Sequence, residues 1–167
     1  ETIIGKWLKA RGNRAGMHIF TKVNSGKQPG GLGAQAIRNG IEASLKRLQT
    51  DYVDLYFSHW PDAETSHEET LEAYDPLVRS GKVQAIGASN YTAGMVEEAH
   101  KVSVVKSLPR YEVLQPRYNL YDRAEFEALV PTITDNEMGA IVYYSLASGF
   151  LSGKYRSKAD LGKSARG

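Results

Sequence analysis

The sequence contains no cysteine. That excludes a disulfide framework and any thiolate metal site, and it makes a reducing, intracellular (cytoplasmic) setting the default expectation. No apolar stretch approaches the roughly 18 residues of a membrane span, and no signal peptide opens the chain. Neither sign of charge gathers: 21 Lys and Arg face 19 Asp and Glu for a net +2, spread along the whole length. This argues against a dedicated nucleic-acid surface. His18, His67 and His100 lack metal-ligand spacing, so no metal is expected. An initiator methionine is also missing, and the polar stretch 157–167 stops without a closing element. Both ends read as cuts.

What is present is the material for one sizeable core, 167 residues with 41% hydrophobic content. Short apolar, β-branched or aromatic runs fall at residues 17–22, 53–59, 83–90, 111–115 and 140–143. Their apolar positions are consecutive rather than alternating, the pattern of parallel strands buried on both faces. Amphipathic stretches lie between them. The opening residues predict a helix with Ile3, Ile4, Trp7 and Leu8 on one face. Leu32, Ala36, Ile37, Ile41, Ser44, Leu45 and Leu48 form the next stripe. Leu71, Tyr74, Leu77 and Val78 follow a capping box Thr65-x-x-Glu68 and end at Gly81. Thr92 is expected to cap a helix that turns Val96, Ala99 and Val102 inward. Asp122-x-x-Glu125 should cap one that buries Phe126, Leu129, Val130 and Ile133 and ends at Gly139. Pro76 and Pro131 should kink or shorten their helices.

Strand and helix alternating at about 30 residues per unit imply right-handed crossovers and a parallel sheet. No Gly-x-Gly-x-x-Gly follows a strand, which removes the usual dinucleotide signature of the doubly wound class. Gly30-Gly31-Leu32-Gly33 lacks the Lys-Ser/Thr of a P-loop and reads as a flexible loop. A (β/α) barrel fits better, because every predicted strand ends on residues an apolar core has no use for. These are Lys22, then Ser58-His59, Ser89-Asn90, Gln115 and Tyr143-Tyr144-Ser145. In such barrels the C-terminal strand ends form the active-site face.

At these residues the chain resembles the aldo-keto reductase family. The resemblance is carried by Thr21-Lys22-Val23, by Tyr52-Val53-Asp54-Leu55-Tyr56 with His59-Trp60-Pro61-Asp62, and by Gly81-Lys82-Val83 through Ile86-Gly87-Ala88-Ser89-Asn90-Tyr91. Gln115-Pro116-Arg117-Tyr118-Asn119-Leu120 and Gly149-Phe150-Leu151-Ser152-Gly153-Lys154-Tyr155 continue it. The resemblance implies an α/β fold, a (β/α)8 barrel of which about five βα units lie in this sequence, with residues 1–167 forming one partial barrel. It implies NADP(H) as cofactor and a small-molecule aldehyde or ketone as substrate. Lys22 and His59 match two members of the family's Asp/Tyr/Lys/His set; the Asp and Tyr would lie upstream of Glu1. Lys22 would lower the pKa of a neighbouring tyrosine, and His59 would hydrogen-bond the substrate carbonyl. Ser89, Asn90 and Gln115 would hold the nicotinamide carboxamide, and Tyr143 would stack on the ring. Tyr144, Ser145, Leu146 and Lys154 would lie along the pyrophosphate, although many relatives carry Ser-Pro-Leu where this chain has Tyr-Ser-Leu. Two alternatives stand beside the reductase: a cofactor-binding regulatory subunit similar to potassium-channel β subunits, and an inactive fragment.

Overall fold

The structure, a computed structural model, describes residues 1–163. Five helices and five strands alternate: α1 (Thr2–Arg11), β1 (Phe20–Val23), α2 (Ala34–Leu48), β2 (Val53–Ser58), α3 (His67–Arg79), β3 (Val83–Ser89), α4 (Ala93–Lys106), β4 (Tyr111–Gln115), α5 (Ala124–Asp135) and β5 (Gly139–Ala140). The strands form one parallel sheet in sequence order, β1-β2-β3-β4-β5. Sequential parallel neighbours joined by helices are the repeat of a (β/α) barrel, and this arc is part of one.

The register divides the sheet into two faces. Lys22 pairs with Phe57, Phe57 with Gly87, Gly87 with Val113, and Ser89 with Gln115. These residues share one face with Phe20, Leu55 and Ala85, because side chains alternate along a strand. Tyr56, Ser58, Ile86, Ala88 and Leu114 point the other way, toward the helices. There they join Ile37, Ile41, Leu71, Tyr74 and Val96 in one continuous buried core. Gly87 is required on the first face, since a Cβ there would lie 2.5 Å from Phe57 Cε1 and 2.8 Å from the Val113 carbonyl.

Local structure departs from the sequence expectations at identifiable places. The first strand starts at Phe20 rather than residue 17, because Arg14–Gly16 forms a 3₁₀ turn and Met17 and His18 stay exposed. Arg14 anchors this entry by donating to Thr50, to the Tyr52 carbonyl and to Asp54. The fifth strand is two residues long; Tyr143 makes only an isolated bridge with Arg117. On α1 the buried positions are Gly5 and Leu8, whereas Ile3, Ile4 and Trp7 are exposed. A Cβ on Gly5 would be 2.3 Å from the Arg47 carbonyl, so α1 docks through its smallest residue.

Leu32 is buried but precedes its helix, which begins at Ala34. The cap of α3 is Ser66, whose Oγ accepts from Glu69 N, while Thr65 donates to Asp62. Thr92 caps α4 as expected. Asp122 does not cap α5, because its carboxylate is taken by Arg117. That helix closes at Asn136, and Gly139 belongs to β5. Its buried positions are Leu129 and Thr132, Ile133 packs partly buried against the core as expected, and Val130 is exposed. Both prolines sit inside continuous helices. Each removes one backbone donor, and around Pro76 the buried Leu71, Tyr74 and Leu77 hold the helix against the sheet.

Candidate active site at the strand ends

The sheet's C-terminal ends bring six of the expected site residues into one layer. Lys22 is the penultimate residue of β1, and His59 follows β2, its backbone N–H still donating to the Val23 carbonyl at 3.1 Å. Ser89 ends β3 and Gln115 ends β4 as register partners. Asn90 leaves β3 in the left-handed region with φ 61°, and Tyr143 follows β5.

The electrostatics of this layer have definite signs. Burial lowers the pKa of the Lys22 ammonium, which lies 5.4 Å from the centre of the Phe57 ring. Among the described residues it has no carboxylate partner. His59 also has a lowered pKa, first through burial and then through the positive charges of Lys22 and Lys27. At neutral pH it is therefore an uncharged imidazole with one N–H to donate. Its ring stacks on Trp60 at 5.4 Å, and Nδ1 is buried with no hydrogen-bond partner. Tyr143 has a raised pKa, mainly from burial, so its phenol stays protonated and donates to Asn90 Oδ1 at 2.8 Å.

The polar groups differ in what they have left to offer. Ser89 Oγ donates to the Gln115 carbonyl at 2.8 Å. Asn90 Nδ2 donates to the His59 carbonyl at 2.8 Å and to Ser89 Oγ at 3.2 Å. Among the described residues the Gln115 side-chain amide has no hydrogen-bond partner, while its carbonyl accepts from Ser89. Beyond Tyr143 the chain turns outward. Tyr144 has φ 70° and accepts from Ser148 through its hydroxyl, while Ser145 and Leu146 are exposed. Lys154 folds back over Gly149, where a Cβ would be 2.4 Å from Lys154 Cε, and lies 4.8 Å from the Tyr155 ring.

Several contributors were not singled out from sequence. Lys27 reaches over Trp60 at 3.5 Å and adds positive potential at His59. Its only signal was a lysine in the loop after β1. Behind the layer, Ser58 Oγ joins the hydroxyls of Tyr74 and Tyr111, each at 2.9 Å, and Tyr91 lies 3.4 Å from Tyr111. This buried hydroxyl cluster ties the last residue of β2 to the first residue of β4; tyrosine content alone does not reveal such pairing. The glycine loop before α2 is a packed turn, with Gln28 N and Leu32 N donating to Asn24 and Asp62.

A partial parallel (β/α) barrel with Lys, His, Ser-Asn, Gln and Tyr at successive strand ends defines a class of enzyme scaffold, and comparison with known proteins specifies which. The model of the aldo/keto reductase family matches residues 1–166, and the chain belongs to that family. It is 37% identical over 158 residues to the aldo-keto reductase YhdN of Bacillus subtilis, covering 92% of this chain and 46% of that protein. It is 38% identical over 162 residues to the "putative voltage-gated potassium channel subunit beta" of Schizosaccharomyces pombe, covering 93% and 47%. A solved structure described as a putative 2,5-diketo-D-gluconic acid reductase B superposes with a TM-score of 0.75 at 28% identity, covering 89% of this chain and 50% of that one. The chain thus spans about half the length of the relatives it matches.

Proposed function

We propose that the protein bearing this chain is a cytoplasmic oxidoreductase that reduces aldehydes or ketones with NADP(H). The observation that carries the proposal is His59: an uncharged imidazole held at a strand end, beside an ammonium that has no counter-ion among the described residues. A nicotinamide, when bound, supplies the hydride. Tyr143 offers an aromatic face and Gln115 an unengaged amide, which suits a ring bearing a carboxamide; Ser89 and Asn90 flank them. Tyr144, Ser145, Leu146 and Lys154 would run beside the pyrophosphate.

In this reading His59 donates its N–H to the carbonyl oxygen, orienting the substrate and stabilising the negative charge that grows there. Lys22 supplies a fixed positive charge that favours the ionised form of an adjacent proton donor. Low dielectric strengthens both effects. Similarity to a protein named as a channel β subunit keeps a regulatory reading in view. The retained His59 favours the enzyme, since cofactor binding alone has no need of a group placed to polarise a carbonyl.

The test separates turnover from binding in the full-length protein. His59→Ala should lower kcat for aldehyde-dependent NADPH oxidation by about 10²- to 10³-fold with nucleotide affinity unchanged. Gln115→Ala should weaken nucleotide binding by about tenfold and change kcat less. Full turnover in His59→Ala would remove His59 from the chemistry, and nucleotide binding without aldehyde-dependent oxidation in the unsubstituted protein would transfer the case to the regulatory reading.

A further inference from the structure

The cap residue of α2 is Gly33, which has no side chain to accept from the first N–H groups of the helix. Partners come instead from the next βα unit. Asp62 accepts from Leu32 N at 3.1 Å, and Glu69 Oε1 accepts from Ala34 N at 3.4 Å. Thr70 Oγ1 donates to the Leu32 carbonyl at 3.3 Å. Leu32 is 2% exposed, so its backbone groups have these protein partners in place of water.

Asp62 is the hub of this joint. Its carboxylate also accepts from Glu64 N at 3.1 Å and from the Thr65 hydroxyl at 2.7 Å. Burial by itself raises its pKa, but the bonds from Thr65, Leu32, Glu64 and Gly30 outweigh burial and hold it below the ordinary carboxylate value. The ionised group is therefore shared between two loops, residues 24–33 and residues 59–66.

Those loops meet a second time at the mouth. Lys27 lies in the first, its backbone N–H donating to the Asn24 carbonyl, and its ammonium stands 3.5 Å from the centre of the Trp60 indole. Trp60 stacks on His59 and precedes Asp62 by two residues. A lysine head on its flexible four-carbon stem keeps one position only where the backbone beneath it is fixed. Between the Asn24 turn and the Leu32 anchor, Asp62 does that fixing. The charges acting on His59 are Lys22 of β1 and Lys27 of this loop. Ser89, Asn90 and Gln115, at the ends of β3 and β4, carry none, and Tyr143 stays protonated.

We infer that Asp62 is a positioning residue, which locks the loop after β1 onto the loop after β2 and so holds the Lys27 ammonium over the indole beside His59. Its consequence for turnover rests on the reductase reading; the loop joint and the charge state of His59 do not.

The test reads the His59 proton directly, by NMR titration of labelled histidine in the full-length protein. Lys27→Gln removes one of the two positive charges and should raise the pH midpoint of His59 by about 0.3–0.5. Asp62→Ala should raise it by a similar amount, because the loop no longer presents Lys27. The sign is decisive, since losing a nearby negative charge would by itself lower the midpoint. In the Lys27→Gln background, Asp62→Ala should add no more than about 0.1. Asp62→Asn, which keeps one acceptor, should fall between Asp62→Ala and the unsubstituted protein. In aldehyde-dependent NADPH oxidation, Asp62→Ala should lower kcat about three- to tenfold with nucleotide affinity unchanged.

A midpoint lowered or unmoved by Asp62→Ala would overturn the inference, and so would one that Lys27→Gln leaves in place. If Asp62→Ala does not fold, Asp62→Asn decides by the same sign. If the unsubstituted protein oxidises no NADPH with any aldehyde, the reductase reading fails, and the midpoints alone decide whether Asp62 acts through Lys27.

Discussion

The centre of the sheet and its β5 edge are built from similar residues and behave differently. In β2 and β3 the C-terminal four residues are buried on both faces, whereas both residues of β5 are exposed. Val83 and Ile86 are at most 1% exposed, while Val142, in an equally apolar run, is 36% exposed. β2 and β3 each have a strand on either side and helices behind; among the described residues β5 pairs only with β4. A strand paired on both edges and covered on both faces is buried, whereas an edge strand leaves part of its apolar run to solvent. Around β5 the exposed Leu120, Tyr121, Leu146 and Phe150 mark the same difference.

Substitutions along this gradient should follow it. Ile86→Ala, at the buried centre, should destabilise residues 1–167 by about 2–5 kcal/mol in denaturant unfolding, through lost burial and the cavity left behind. Gly87→Ala comes next, at about 1–3 kcal/mol, because its Cβ would press on Phe57 and the Val113 carbonyl. It should also disturb the ammonium of Lys22, which lies over that ring. Val142→Ala, at the edge, should cost no more than about 0.5 kcal/mol. Equal losses at Ile86 and Val142 would break the comparison.

A smaller effect comes from pH. His59 and His67 both have lowered pKa values, in each case chiefly from burial. As the pH falls through about 6.5, the unfolded chain takes up protons that these folded-state imidazoles resist. Their contribution to stability is therefore complete above that pH and declines below it. Tm should be lower at pH 5.5 than at pH 7.5, and His59→Gln should flatten part of the difference. An identical Tm at both values would show that neither ring is as desolvated as its surroundings imply.

Much of the fold was legible because parallel strands and amphipathic helices leave different periodicities. Tyr111–Gln115 matches its predicted bounds, and the other strands lie within one to three residues of theirs. Caps were less legible. Thr65 and Ser66 are adjacent and each is followed three residues later by Glu, so sequence could not decide which would serve. Asp62 decided it by taking the Thr65 hydroxyl. Asp122 was likewise drawn away by Arg117, a pairing that depends on how the β4–α5 loop folds.

By itself the sequence determined the order of elements, the parallel sheet and the placing of Lys22, His59, Ser89, Asn90, Gln115 and Tyr143 at strand ends, because local pattern and composition carry that information. Tertiary structure decided which protein groups meet those residues. Asn90 and Gln115 look interchangeable as polar amides, yet one is fully engaged by protein groups and the other is open. It also decided which apolar runs are buried, since Ile3 and Leu8 lie on one short helix and only Leu8 meets a partner. Hydrogen-bond satisfaction and burial are properties of neighbours in space, and a residue's own sequence neighbourhood does not contain them.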